Sequence, residues 1–144
     1  MAASCLANGH WRAVIVGLGT DLIGLTRIAD VYRRQGQRFL DRVYTVAEQR
    51  YALELPNPTE RLASRWAAKE ACMKALGTGW AKGVTFTQIA LLPGADRSAP
   101  QLVLDGEALA VAKLLGVTRL HCSVSHSDGI AVATVILEAF SKHP

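Results

Sequence analysis

The stretch Asn57–Gly79, NPTERLASRWAAKEACMKALGTG, decides the fold. Asn57 is suited to cap a helix, Pro58 to its first position, and Glu60 to a first turn where a carboxylate meets the positive end of the helix dipole. Gly77 stands where a helix-ending glycine belongs, followed by Thr78 and Gly79. Between these signals, Leu62–Leu76 is rich in Ala and Leu and holds no Gly or Pro, which makes it a strong helix former. Its only charges are Arg65, Lys69, Glu70 and Lys74. A helix apolar nearly all round is expected to be buried, and a buried charge needs a partner. Glu70 and Lys74, four residues apart, share one face and are the first candidates for chemistry. The same spacing also describes an ordinary surface pair worth about 0.2–0.5 kcal/mol. The Ala-rich surroundings and the GTG that follows weigh against that reading without deciding the matter.

At 144 residues the chain fits one domain with room for a real core. Half of it is apolar and 19% charged, a globular composition without a disorder signature. No apolar run approaches the length of a membrane span, and MAASCLANGHWR lacks the basic and apolar regions of a signal peptide. Residues 1–12 are expected to form a loosely ordered leader to a single domain, 13–144. Cys5, Cys72 and Cys122 are odd in number and form no CxxC. Reduced core thiols in a cytoplasmic protein suit that pattern better than a disulfide framework. Of the net charge of +4, Arg27, Arg33, Arg34, Arg38 and Arg42 against Asp30 and Asp41 contribute +3. Such a basic stretch calls for an acidic partner: nucleic acid, anionic lipid or an acidic protein.

Outward from the central helix, Ala13–Leu18 (AVIVGL) is a fully apolar run, predicted to be a central strand. Gly19-Thr20-Asp21 is then a turn leaving a carboxylate at the end of that strand. A helix is predicted from Leu25 to about Gly36, with Arg27, Val31 and Arg34 on one face. Thr45-x-x-Glu48 is a capping-box pattern opening a short helix to about Leu53. Beyond Gly79, Val84–Leu92 reads as a strand with Phe86 and Ile89 inward, and 93–100 as a loop. Gln101–Leu104 is a short strand, and Asp105 caps a helix to Leu115 that Gly116 closes. Arg119–Ser125 and Ile130–Glu138 form a hairpin about Ser-Asp-Gly. The order β-α-α-α-β-β-α-β-β predicts an α+β domain, helices packed on one face of a mainly antiparallel sheet.

Asp21 and Glu70 would converge if the apolar helix crossed the first strand. Two carboxylates are too few for Ca²⁺ but suit Mg²⁺, which keeps waters and takes up phosphate oxygens. Lys74, one turn beyond Glu70, would face the same phosphate as a point charge. Gly77, Thr78 and Gly79 would let backbone approach a ligand closely. Asp21 is equally readable as a turn former, and GTG as a plain helix stop. In Ser125-His126-Ser127-Asp128 the residues are sequence neighbours, whereas triad members come from separate segments; His126 reads as a ligand contact or a satisfied polar residue. Gly17-Leu18-Gly19 lacks the third glycine of a dinucleotide fingerprint.

VGLGTDLIGLTRI (16–28), RLASRWAAKEACMKALGTG (61–79) and HCSVSHSDGIAVATVILE (121–138) together resemble the bacterial holo-acyl-carrier-protein synthases, the small stand-alone 4′-phosphopantetheinyl transferases. The resemblance runs from about Ala13 to Glu138 and rests on the G-x-D and W/F-x-x-K-E-x-x-x-K signatures. It implies the single-copy phosphopantetheinyl transferase fold and transfer of the 4′-phosphopantetheine arm of coenzyme A to a serine of apo-acyl carrier protein, supporting fatty acid biosynthesis. It implies metal binding by Asp21 and Glu70, with Mg²⁺ or Mn²⁺, and a role for Lys74 at the phosphate. Arg65, Gly77, Thr78, Gly79 and His126 fall where family members contact coenzyme A. Arg27, Arg34, Arg38, Phe39 and Arg42 match the face that docks the acidic carrier protein. Homotrimers with sites at subunit boundaries are implied too, with neither nucleic acid nor membrane as partner. The loop 93–100 lacks the family's Gly-Lys-Pro turn. Two other classes compete: a basic nucleic-acid-binding module, needing neither Glu70 nor a metal, and a non-catalytic binder of coenzyme A or carrier protein, indifferent to Asp21.

Overall fold

Glycine spacing on the first strand governs how the domain packs. The computed structural model describes residues 11–142, so residues 1–10 of the expected leader lie outside the described residues. The chain runs β1 (Trp11–Gly24), α1 (Leu25–Gln35), α2 (Gln37–Val43), α3 (Val46–Ala52), α4 (Thr59–Leu76), β2 (Ile89–Leu92), β3 (Gln101–Leu104), α5 (Gly106–Leu114), β4 (Val117–Ser127) and β5 (Ile130–Lys142). The first three strands in space, β1-β5-β4, form an antiparallel sheet, and β2-β3 a separate antiparallel pair. The architecture is α+β, with α4 laid across the inner face of the larger sheet.

Alternation along β1 puts Gly17, Gly19, Asp21 and Ile23 on the α4 side. A Cβ at Gly17 would lie 2.3 Å from the carbonyl oxygen of Ala75, and one at Gly19 1.9 Å from that of Ala71. The strand therefore meets the helix backbone directly, and glycine is required at both places for close approach. Around this contact Ala67, Ala68, Ala71, Cys72, Ala131, Ala133, Val135 and Leu137 are all within 1% of complete burial.

Several expectations change. Gly19-Thr20-Asp21 is no turn: Asp21 sits within β1, paired with Ala133 of β5. Trp11 and Arg12, assigned to the leader, pair with Lys142 and Ser141. Nor is β1 central. It is an edge strand, and β5 holds the middle. Its apolar run begins exposed on both faces, with Val14, Ile15 and Val16 at 38%, 66% and 37%; only from Gly17 on does one face meet α4, the other leaving Leu18 and Leu22 each 65% exposed. The helix α2 was not foreseen. Gly36, at φ +54, ends α1 and turns the chain straight into a second helix, with Phe39, Leu40 and Val43 inward. The expected strand from Val84 shortens to β2, preceded by a 3-10 turn at Phe86–Gln88; Phe86 and Ile89 are buried as expected.

Local chemistry accounts for the ends. Asn57 accepts from the Thr59 amide at 3.1 Å, and Pro58 stands one place earlier than predicted, just ahead of the helix. Gly77 closes α4 at φ +73, the left-handed conformation that glycine adopts without steric cost. Thr45 and Glu48 complete the capping box of α3. Asp128 and Gly129, both at positive φ, make the two-residue hairpin turn between β4 and β5.

Gly19→Ala is expected to lower stability by about 2–3 kcal/mol, since overpacking here strikes backbone rather than a movable side chain, and the melting temperature by roughly 5–10 °C. Gly24→Ala, with no atom within 4 Å of the added Cβ, is the control and should melt with the parent. Thermal denaturation of the two variants decides; equal melting temperatures would refute the close-packing account.

Candidate active site

The charges on α4 divide by depth. Arg65 and Lys69 are the deeply buried ones, Glu70 is half-buried, and the Lys74 side chain is 52% exposed. The partner of the buried Lys69 is Glu48, which the sequence reading took only as a cap. Lys69 Nζ donates to Glu48 Oε2 at 2.8 Å, to the Phe86 carbonyl at 3.0 Å and to the Ile89 carbonyl. Glu48 also accepts from the amides of Thr45 and Leu91. With both ions wholly buried and every strong hydrogen-bonding direction used, the pair is tolerable away from water. The capping box and the first lysine of K-E-x-x-x-K were its available signals; their meeting was not readable from spacing.

Glu70, one residue on, points a different way. It lines a cavity of about 450 Å³ with Asp21, Arg27, Trp66 and Trp80. Burial first, then the Asp21 carboxylate, raise the pKa of Glu70, against the lowering influence of Lys74 and Arg27. Glu70 and Lys74 form no ion pair. Lys74 Nζ donates instead to Asp21 Oδ1 and to the Thr20 carbonyl, both at 2.9 Å. Two carboxylates from β1 and α4 thus share one cavity with a lysine and an arginine close by. Arg27, expected on a docking face, belongs to this cavity as well.

Trp66 and Trp80 also wall a larger, mostly apolar cavity of about 650 Å³, with Val31, Phe39, Arg42 and Phe86. The Phe86 ring lies 4.7 Å from that of Trp66 and 4.4 Å from that of Trp80. Phe39 is 4% exposed, so it offers a partner only the floor of this cavity, while Arg34 and Arg38 stand exposed on α1 and α2. Tryptophans at 66 and 80 were missed as cavity walls because aromatic residues are usual in any core.

A third cleft, of about 510 Å³, lies at the other end of α4. Tyr51, Glu60, Arg61, Ser64, Arg65 and His126 line it. The guanidinium groups of Arg61 and Arg65 both lie over the Tyr51 ring, at 3.9 and 4.4 Å from its centre. Arg65 donates to the Arg61 carbonyl at 3.1 Å, whereas its Nε is buried with no hydrogen-bond partner. Burial lowers the pKa of Arg65. His126 Nε2 is 2.9 Å from Glu60 Oε1. Gly77, Thr78 and Gly79 line none of these three cavities; Gly77 and Gly79 have positive φ and Thr78 is buried. Arg65 and Gly77 are twelve residues apart on one helix, about 18 Å along its axis. Within one chain, then, the residues expected to contact coenzyme A fall into two groups.

Thiol chemistry has no place in this arrangement. Burial pushes the Cys72 thiol up to about 12 and Cys122 up to about 11, so neither is a thiolate at neutral pH. Among the described residues, no three His, Cys, Asp or Glu side chains cluster as a ready metal cage. Any cation between Asp21 and Glu70 would have to complete its shell from water or a ligand.

Comparison with known proteins bears on this geometry. Residues 17–135 match the family model of the 4′-phosphopantetheinyl transferase superfamily. The holo-[acyl-carrier-protein] synthase of Koribacter versatilis is 48% identical over 127 residues, spanning 87% of this chain and 99% of that protein. That of Solidesulfovibrio magneticus is 50% identical over 125 residues, with the same coverage. Among solved structures, the Neisseria meningitidis holo-[acyl-carrier-protein] synthase superposes with a TM-score of 0.77 at 34% identity, covering 86% of this chain and 98% of that one. The Bacillus anthracis enzyme, in complex with CoA (3′,5′-ADP), gives 0.72 at 38% identity, covering 87% and 97%. With both signature segments meeting at one cavity and relatives this similar over nearly their whole length, the chain belongs to the 4′-phosphopantetheinyl transferase superfamily, among its holo-[acyl-carrier-protein] synthases.

Proposed function

We propose that this protein transfers the 4′-phosphopantetheine arm of coenzyme A to a serine of an apo-acyl carrier protein, releasing 3′,5′-ADP, in support of fatty acid synthesis. The observation that carries the reading is the convergence of Asp21 and Glu70 on one cavity, with Lys74 bonded to Asp21 and Arg27 beside them. Their donor set fits a hard divalent cation: two partly buried carboxylates, with burial first and the Asp21 carboxylate second raising the pKa of Glu70, and Lys74 and Arg27 offsetting that only in part. Mg²⁺, or Mn²⁺ in its place, would be held by Asp21 and Glu70 and would act as a Lewis acid on the pyrophosphate. The chain's own side chains do the remainder. Lys74 and Arg27 offset charge gathering on the phosphate oxygens, and Trp66 and Trp80 wall the cavity from bulk water. As the serine oxygen attacks, its proton must leave. The carboxylates of Asp21 and Glu70 line the cavity in which that proton is released and are the acceptors at hand.

The reading includes a homotrimer with sites at its boundaries. The outer face of the large sheet exposes Leu18, Leu22, Ile130 and Val132, more apolar surface than an edge strand ordinarily leaves to water. A neighbouring copy over that face would bring the Gly77–Gly79 end of one α4 toward the Arg65 and His126 end of another, uniting the two groups on one coenzyme A. The exposed Arg34 and Arg38, with Arg42 at the rim of the apolar cavity, supply the basic surface for an acidic carrier protein.

Mass spectrometry of apo-acyl carrier protein incubated with the protein, coenzyme A and Mg²⁺ should show the gain of one phosphopantetheine, absent with EDTA; no gain under any divalent metal would refute the reading. Arg38→Ala should raise KM for the carrier several-fold with kcat nearly unchanged, the signature of lost uniform binding. A steady-state titration of the carrier measures it. The raised pKa of Glu70 has its own consequence. The folded state binds this proton more tightly than the unfolded chain, so the associated stability is full below the ordinary 4.5 and is lost as pH rises through the raised value. Metal-free Glu70→Gln should therefore melt above the parent at pH 7 and with it at pH 4, and Mg²⁺ should stabilise only the parent. Calorimetric melts at the two pH values, with and without Mg²⁺, provide the check.

A further inference from the structure

The cleft along the N-terminal half of α4 carries two arginines and a histidine, unequally satisfied. Arg61 lies 3.2 Å from Glu54 Oε2 and also donates to the Tyr51 carbonyl. His126 Nε2 holds Glu60 Oε1 at 2.9 Å. Arg65 is 5% exposed, and its Nε has no hydrogen-bond partner at all. A buried donor without an acceptor is costly, so the cleft is built for an acceptor that the chain does not itself provide. Glu60 is the one carboxylate lining this cleft, and it occupies the histidine rather than the arginine.

We propose that Glu60 is a resident anion: it occupies His126 in the free protein, and a phosphate of the bound nucleotide displaces it, so that Glu60 competes with that phosphate and weakens its retention. This rests on the proposed function, in which Arg65 and His126 contact coenzyme A, and takes the end held there to be the nucleotide. The exchange is cheap for the protein. Side chains of Glu60 and His126 are 51% and 50% exposed, so their attraction is screened and small. Once released, Glu60 remains in the first turn of α4, where the helix dipole favours a carboxylate whether or not it touches His126. A phosphate monoester brings up to two charges and three acceptor oxygens. His126 and Arg65 both line the cleft, and a phosphate offers them more charge and more acceptor oxygens than a carboxylate does. A ligand lacking that phosphate leaves Glu60 in place and is indifferent to the exchange. Glu60 thus acts as a competitor that weakens the hold of the cleft on a nucleotide phosphate.

Isothermal titration of adenosine 3′,5′-bisphosphate and of adenosine 5′-monophosphate into the full chain tests this, using the parent, Glu60→Gln, His126→Gln and the double variant. Glu60→Gln should bind the bisphosphate about two- to fivefold more tightly, the scale of an exposed ion pair. That gain should vanish in the His126→Gln background. Glu60→Asp, which keeps the charge but shortens its reach, should tighten binding in the same direction by less, separating contact from net charge. Unchanged or weaker binding by Glu60→Gln overturns the proposal, because Glu60 would then be inert or would serve to orient His126. A gain that survives without His126 overturns it too, since it would report only the general field. If the parent binds neither the bisphosphate nor coenzyme A, the nucleotide reading of the cleft falls and the proposal with it; if the parent binds and the variants do not differ, only the proposal falls.

Discussion

The structure depends on a strand and a helix packed backbone to backbone. At Gly17 and Gly19 there is no room for even a methyl group between β1 and the carbonyls of Ala75 and Ala71. Everything chemical follows from that distance. Two residues beyond Gly19 the same face of β1 presents Asp21, and one residue before Ala71 the helix presents Glu70. A larger residue at position 17 or 19 would hold the elements a side chain's width apart and open the gap between the carboxylates. The glycines of G-L-G-T-D are spacers for the aspartate. A dinucleotide-binding turn uses glycine for close approach to a ligand; here the close approach is to the protein's own helix.

A second constraint fixes which way α4 faces. Lys69 is anchored to Glu48 and to the carbonyls of Phe86 and Ile89, joining α3, α4 and the start of β2 in one buried knot. Adjacent residues on a helix point about 100° apart. Locking Lys69 inward therefore directs Glu70 to the cavity beside Asp21. The same knot holds the Phe86 backbone, and the Phe86 ring packs tilted against Trp66 and edge-on against Trp80, which wall both the carboxylate cavity and the apolar one. In the K-E-x-x-x-K segment the first lysine thus orients, while the glutamate lines the carboxylate cavity and the second lysine bonds Asp21.

The carboxylate pair works against the fold that holds it. Partial burial and a neighbouring negative charge disfavour ionised Glu70, and Lys74 relieves that only in part. Strain of this kind, tolerated because the surrounding core over-determines the geometry, is characteristic of sites that bind a cation or a phosphate. The Arg65 Nε without an acceptor is the same situation with the sign reversed. Along α4, then, Arg65 and Glu70 each carry a polar group that the described residues satisfy only in part.

Much of this was legible in the sequence wherever the signal was local. Helix α4 showed through its apolar composition and Gly77, α3 through Thr45 and Glu48, the hairpin through Asp128-Gly129, and the family through residues clustered at 19–21 and 66–79. Signals were ambiguous where one pattern serves two environments. The run AVIVGL describes a strand buried on both faces or one whose outer face is apolar, and spacing does not distinguish them. Glycine at 36 breaks a helix equally well before a loop or before a second helix. The sequence by itself determined most of the elements, the chemical identity of the carboxylates and the basic stretch, because propensity, capping and charge act over a few residues. Only the tertiary structure decided that β1 lies at an edge, that Lys69 meets Glu48 while Lys74 meets Asp21, and that Arg65 and Gly77 stand at opposite ends of a helix. Those are pairings across long separations in the chain, chosen by which groups must find partners once water has been excluded.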